Sequence, residues 1–218
     1  MDTRLFRVML SILIIVLICP ALVLAQDLKP IKLLPPQTNA GRPLMQALKE
    51  RKSAREFSDK ELPLQVLSNL LWAAFGINRP DLGKRTAPSA LNWQEIDVYV
   101  ATAHGLYLYD AKAQALRPIL AQDIRPLTGR QSFVQKAPIN LVYVADFARM
   151  GTATPEDKAL YSAADTGFIG QNVYLYCASE GLATVVRGSI DRPALEKAMR
   201  LRPEQKVILA QTVGYPEK

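Results

Sequence analysis

Histidine and cysteine are nearly missing from this chain. His104 is the single histidine, and Cys19 and Cys177 are the two cysteines, among 218 residues. A hydrolytic triad needs an orienting base beside its nucleophile. His104 stands beside Gly105 at the end of an alternating stretch and reads as a strand-end surface residue. One histidine, few cysteines and no clustered carboxylate spacing give a structural zinc site or a dedicated metal cage little support. Internal repeats and low-complexity tracts are absent too. Lysine and arginine are dispersed without a long run, which argues against bulk nucleic-acid binding. For an enzyme with so few catalytic side chains, a bound organic cofactor is the natural candidate.

What is present suits one globular domain: 49% apolar and 22% charged residues. Ahead of it, Arg4 and Arg7 precede an apolar run from Val8 to Leu24, broken by Pro20 and closed by Val23-Leu24-Ala25. This reads as a secretory signal peptide over residues 1–25, cleaved after Ala25, and so as an exported protein of the periplasm or the exterior. An uncleaved N-terminal anchor is the alternative, and membrane contact is expected only in that case. Cys19 is not read as a lipidation site, because Ile18 stands where a small residue is needed. Cleavage moves the formal charge from +7 to +6, with 25 basic against 19 acidic residues, and leaves Cys177 as the sole cysteine. A lone cysteine forms no intramolecular disulfide, and inside a long helical candidate it reads as a small buried hydrophobe.

Residues 26–42 carry three prolines and no apolar period, and read as an extended arm before a domain at 43–218. Helices are predicted in "PLMQALKER", where Leu44, Met45 and Leu48 recur, and in "LPLQVLSNLLWAAFGI", with Gly76 as a left-handed stop. Trp72 and Phe75 lie on the apolar face of the latter. "IDVYVATA" reads as a strand and "GLYLYD" with "ALRPIL" as a hairpin, its tyrosines on a surface. "INLVYVADF" and "KVILAQTVGYP" read as core strands buried on both faces. Between them lies the longest helical candidate, from Pro155 to Gly181, with Glu156 and Asp157 in its first turn. Gln171 and Asn172 within it read as satisfied interior amides. A last helix in "RPALEKAMR" has Asp191 as N-cap. Helix on sheet is the expected architecture.

The stretch "ERKSAREF", Glu50 to Phe57, packs five charged side chains and a serine around one small apolar residue. Arg51, Ser53 and Arg55 alternate, so an extended backbone projects them to one side while Ala54 and Phe57 anchor the chain. A guanidinium fork plus a hydroxyl suits phosphate. Taken alone, however, a short basic cluster reads as a solvated turn.

Two further stretches change that reading, "KRTAPSALNWQ" and "GLATVVRG". With R-x-S-x-R after the first helix, P-S-x-x-N-x-Q in the loop after the second and G-L-x-T-V after the long helix, the chain resembles the nitroreductase family of flavin mononucleotide (FMN) proteins. It is similar in particular to the azoline-oxidase-type dehydrogenases. The resemblance runs from about Pro43 to Pro216. It implies an α+β fold, a three-layer α/β/α sandwich around a mainly antiparallel sheet, in a domain-crossing homodimer with two interfacial sites. It also implies that Arg51, Lys52, Ser53 and Arg55 contact the FMN phosphate, ribityl chain and pyrimidine edge. Pro88, Ser89, Ala90, Asn92 and Gln94 would serve the flavin of the partner subunit, and Val185, Val186, Arg187 and Gly188 would face the flavin ring with their backbone.

Two departures from the family pattern stand out. Glu95 occupies a position where many members have proline, and the chain ends at Lys218, short of a basic phosphate ligand common in the family, so that either Lys218 substitutes or Arg51 and Arg55 carry more of the load. Arg187 leaves two readings open, steering an anionic substrate or pairing with a carboxylate. Trp93, between two expected flavin contacts, borders the cleft in this reading. No general acid or base can be named. The implied activity is an oxidoreductase moving hydride through flavin N5 between small-molecule donors and acceptors; a flavin-binding or sensing protein without turnover is the alternative.

Overall fold

The computed structural model describes residues 28–217. The expected signal peptide and cleavage site, the first residues of the arm and Lys218 lie outside the described residues.

Seven strands form one sheet in the order β1-β6-β5-β4-β7-β9-β8, every neighbouring pair antiparallel. They are β1 (Ile31–Lys32), β4 (Ile96–Thr102), β5 (Gly105–Asp110), β6 (Ala115–Leu120), β7 (Ile139–Asp146), β8 (Ala183–Arg187) and β9 (Gln205–Gly214). A separate ribbon pairs β2 (Ile77–Arg79) with β3 (Lys84–Arg85). The helices are α1 (Leu44–Glu50), α2 (Leu64–Phe75), the short α3 (Phe133–Lys136), α4 (Pro155–Glu180) and α5 (Arg192–Ala198). On one face, α2 and α4 close over the sheet through Leu70, Leu71, Ile169 and Val173 against Val100, Leu141 and Tyr143. On the other, Leu195 and Met199 at α5 pack with Tyr99, Leu106, Val142 and Val144. The result is the α/β/α sandwich that the pattern implied.

Coverage of both faces explains why all eight residues of β7 are buried. It also corrects the hairpin reading: Tyr107 and Tyr109 are buried, because β5 lies between β4 and β6 and its tyrosines enter the cluster under α2. Their alternation marks two buried faces rather than one wet one.

Gly76 ends α2 in extended rather than left-handed backbone, with φ −70° and ψ 166°. Glycine is required there by close approach, since a Cβ would lie 2.5 Å from the Trp72 ring and 2.6 Å from its carbonyl oxygen. Gly181, by contrast, closes α4 in the left-handed region at φ +71°. At the other end of α4 the Thr154 hydroxyl accepts the Asp157 N–H at 3.1 Å, and Pro155 fills the first turn.

The described part of the arm belongs to the domain. β1 pairs with β6, Leu33 is buried in the main core, and the Leu34 N–H donates to Ser68 Oγ at 2.9 Å. In α1 the apolar recurrence faces outward: Leu44, Met45 and Leu48 are exposed, and Ala47 alone is buried. In the long helix Asn172 is half-buried and Gln171 exposed, so Gln171 is not an interior amide. Cys177 is fully buried and burial pushes its thiol well up, which keeps it inert.

Between α4 and the sheet, Tyr143 donates to Gln211 Oε1 at 2.6 Å, and Gln211 Nε2 donates to Thr184 Oγ1 at 3.0 Å. Tyr143→Phe leaves a buried acceptor unpaired and is expected to lower stability by about 1–3 kcal/mol, read as an earlier urea midpoint with an unchanged m-value.

Candidate functional site

β8 is the edge strand beside β9, so one rim of its backbone is free to receive another group. Residues 51–57 run along that rim without regular structure. The Ala54 N–H donates to the Thr184 carbonyl at 3.0 Å, and fully buried Phe57 bridges to Pro216. Phe57 packs with Ala137, Ala183 and Val185, and Ala54 lies against the same cluster. The anchoring residues thus point inward, while Lys52, Ser53 and Arg55 stay exposed and Arg51 is half-buried.

The first and third sequence stretches are therefore neighbours, and a residue with no role assigned from sequence joins them. Tyr174, on α4, shares a hydrogen bond with Ser53 Oγ at 2.8 Å and accepts the Val186 N–H at 2.9 Å. The Arg51 guanidinium lies over the Tyr174 ring, 5.2 Å from its centroid. Helical period alone could not have separated Tyr174 from Tyr176, whose hydroxyl donates instead to the Val66 carbonyl. Tyr174→Phe leaves the Val186 N–H without its partner and is expected to cost about 1–3 kcal/mol by denaturant unfolding. Beside this junction opens a cavity of about 440 Å³, lined in part by Lys52, Ala54, Tyr174, Thr184 and Pro216.

Arg187 departs from both sequence readings. Its side chain is 4% exposed, and no carboxylate lies against it among the described residues. Nε donates to Thr212 Oγ1 at 3.0 Å, Nη1 to the Thr128 carbonyl at 2.5 Å and Nη2 to Asn140 Oδ1 at 2.9 Å. Burial pushes the guanidinium down to about 10. Val185 is buried on the same side, so from Val185 to Gly188 only half-buried Val186 and exposed Gly188 meet solvent.

The second stretch lies elsewhere. After β3 the chain turns through Pro88 and a short 3-10 segment at Ala90–Asn92 into β4, with Leu91, Asn92 and Gln94 all at positive φ (48°, 58° and 48°). Side chains rarely adopt that region, at about 1–3 kcal/mol each, so surrounding contacts must impose it. Ser89 Oγ accepts the Gln94 N–H at 2.8 Å, the Gln94 amide oxygen accepts from Arg85 Nε at 2.7 Å, and Asp165 Oδ2 accepts the Ala90 N–H at 2.9 Å. Trp93 packs edge-on against Tyr161, with ring centroids 5.8 Å apart. Asp165 precedes Tyr174 by nine residues of α4, which is a rise of about 13 Å and roughly half a turn round the axis. Within one chain the second stretch is thus held apart from the other two, at the opposite half of the same helix. His104 sits outside both regions, exposed, with its ring 3.1 Å from Glu61.

A family model described as the nitroreductase family matches residues 48–215. A crystal structure from Ralstonia eutropha JMP134, provisionally described as a nitroreductase, superposes with TM-score 0.85 at 46% identity, covering 88% of this chain and 92% of its own. A protein of Methanocaldococcus jannaschii, provisionally named a nitroreductase, is 28% identical over 169 residues, which is 73% of this chain and 85% of that protein. The NADPH-flavin oxidoreductase of Vibrio harveyi is 27% identical over 104 residues, 44% of this chain and 43% of its own. With its α/β/α sandwich, its three stretches in family order and a match from the end of α1 to the end of β9, this chain belongs to the nitroreductase family.

Proposed function

We propose that this protein is an exported, homodimeric, FMN-dependent oxidoreductase whose two flavins lie between subunits. The observation that carries this reading is the junction of residues 51–55 with the edge of β8 through Ala54, Thr184 and Tyr174. The donor set there fits the group. Arg51, Lys52 and Arg55 supply charge for a phosphate, Ser53 adds a short neutral donor, and the adjoining cavity falls in the range of cofactor sites. Past the Val186 N–H, which Tyr174 holds, the rim of β8 leads to exposed Gly188, whose backbone would meet the polar rim of a flavin. When bound, FMN supplies two-electron hydride chemistry at N5; the residues of this chain bind, orient and tune it.

The dimer is supported by the separation of the second stretch from the other two, since a second copy can bring Pro88–Gln94 to a flavin that its own chain does not reach. Exposed apolar side chains at Leu44, Met45, Leu91, Leu160 and Phe168 suit burial against that copy. Within the family, the order and wording of the motifs favour likeness to azoline-oxidase-type dehydrogenases. Export rests on the N-terminal apolar segment. Outside the cytoplasm free nicotinamide nucleotides are expected to be scarce, so a quinone, a redox protein or oxygen becomes the favoured electron partner.

Purification tests the whole reading. A yellow dimer by sedimentation, releasing FMN on denaturation and bleached anaerobically by a quinol or nicotinamide donor, is expected. A colourless protein that takes up no added FMN overturns the flavin reading, and bound flavin that no donor reduces replaces turnover by simple binding. An N-terminus at Gln26 by mass spectrometry is the expected sign of export, and retention of earlier residues indicates an anchor.

A further inference from the structure

Two carboxyl groups beneath the left-handed loop have no place in the function proposed above. Glu95, the first residue after the loop, has no exposed surface, and Asp165 on α4 is 2% exposed. Glu95 Oε2 accepts from Ser89 Oγ at 3.2 Å, while Oε1 is buried without a partner. Asp165 Oδ2 accepts the Ala90 N–H. The charge of Asp165 bears on Glu95. A carboxyl oxygen buried without a donor is costly to hold charged, and protonation removes that cost.

The cations nearby are committed elsewhere. Arg149 donates from Nη2 to both oxygens of Asp97 at 2.8 Å and from Nη1 to the Gln94 carbonyl, Arg202 pairs with Asp146, and Arg85 donates to Gln94 and to the Phe75 carbonyl. Among the described residues neither Glu95 nor Asp165 forms a salt bridge. A buried carboxyl without a cation takes up a proton instead of holding its charge. Burial first, then the charge of Asp165, hold Glu95 above the ordinary carboxylate range.

We propose that a protonated Glu95, together with Asp165, clasps Ser89 and Ala90 so as to hold Leu91–Gln94 in its left-handed conformation. Both are positioning residues. The clasp stands on the loop geometry alone, and its consequence for flavin binding rests on the function proposed above. Because the folded Glu95 value is raised, the stabilisation is full below the ordinary glutamate value and is lost as pH rises through the folded value. The loop is therefore expected to loosen toward alkaline pH.

Trp93 lies in the loop, and Trp72 is the only other tryptophan, so full-length Trp72→Phe protein reports on the loop by its emission. On titration upward from the ordinary glutamate range a single one-proton transition is expected, absent from the same protein carrying Glu95→Gln, whose amide donates as the protonated acid does. Across that transition FMN binding is expected to weaken about tenfold in the parent and to stay level in Glu95→Gln. An identical transition in Glu95→Gln, or none in the parent, overturns the clasp. Hydrogen exchange at the Ala90 and Gln94 amides of the unsubstituted chain, corrected for intrinsic rates, gives the same discrimination should Trp72→Phe fold poorly. A Trp93 transition in a protein that binds no FMN keeps the clasp and removes the flavin reading; tight FMN binding with no transition does the reverse.

Discussion

The double variant Arg51→Ala/Arg55→Ala is expected to bind FMN about 10²–10⁴-fold more weakly than the parent chain, at about 1.5–3 kcal/mol for each charge-assisted hydrogen bond removed. Both side chains sit on a segment whose backbone is tied down independently, by the Ala54–Thr184 hydrogen bond and by buried Phe57. Their truncation should therefore leave the fold in place. Arg51 also loses its contact with the Tyr174 ring, so the single Arg51→Ala change is expected to exceed Arg55→Ala. Flavin fluorescence on titration into apoprotein reads the affinity, and circular dichroism checks the fold. Unchanged retention of FMN by the double variant would sink the assignment of residues 51–55 to the phosphate. Loss that is steeper at low salt than at high salt would point to a general field rather than to direct contact, because direct contacts at the rim are screened less.

The largest loss of stability is expected at Arg187. Arg187→Ala leaves a cavity on the face of the sheet away from α4, strips the Thr128 carbonyl of its donor and removes a donor from Asn140 Oδ1. Together these are expected to cost about 3–5 kcal/mol. Lysine cannot substitute, because a single ammonium does not span Thr128, Asn140 and Thr212 as the planar fork does. The same network makes a second, independent prediction. A Cβ at Gly129 would lie 1.8 Å from Arg187 Nη1, so Gly129→Ala must displace a buried guanidinium and should be nearly as harmful. The loss should not vary across neutral pH. The folded guanidinium value, lowered to about 10, makes the unfolded chain bind the extra proton only at more alkaline pH, where stability then rises from this group. Chemical denaturation at neutral and at alkaline pH checks both statements, and a cost below about 1 kcal/mol for Arg187→Ala would show that the network is dispensable.

The core strands were legible because each carries its burial pattern locally. β7 and β9 read as nearly unbroken apolar runs, and a sheet covered on both faces demands that. The ends of α4 were legible for the same reason, since Pro155, Glu156, Asp157 and Gly181 act within one turn of where they stand. The tyrosines of β5 were misread because alternation says only that two faces differ, and both faces here are buried. Gly76 was misread because sequence marks a special glycine without telling left-handed backbone from the close approach of a tryptophan ring four residues earlier.

The candidate site divides in the same way. Composition and spacing determined which chemistry finds few side chains to support it, which stretches are basic and hydroxyl-bearing, and, through their order, which family they resemble; all of these are properties of residues near one another along the chain. Only the tertiary structure decided that Ser53 and Val186 meet on Tyr174, that Arg187 turns inward to neutral acceptors, that Leu44, Met45 and Leu48 face outward, and that Glu95 and Asp165 lie together under a left-handed loop. The reason is physical. Those outcomes depend on residues far apart in the chain, such as Thr128 with Arg187, 59 positions apart, or Ser53 with Tyr174, 121 apart, and on which face of a helix is left over once the sheet has been covered, neither of which a local pattern encodes.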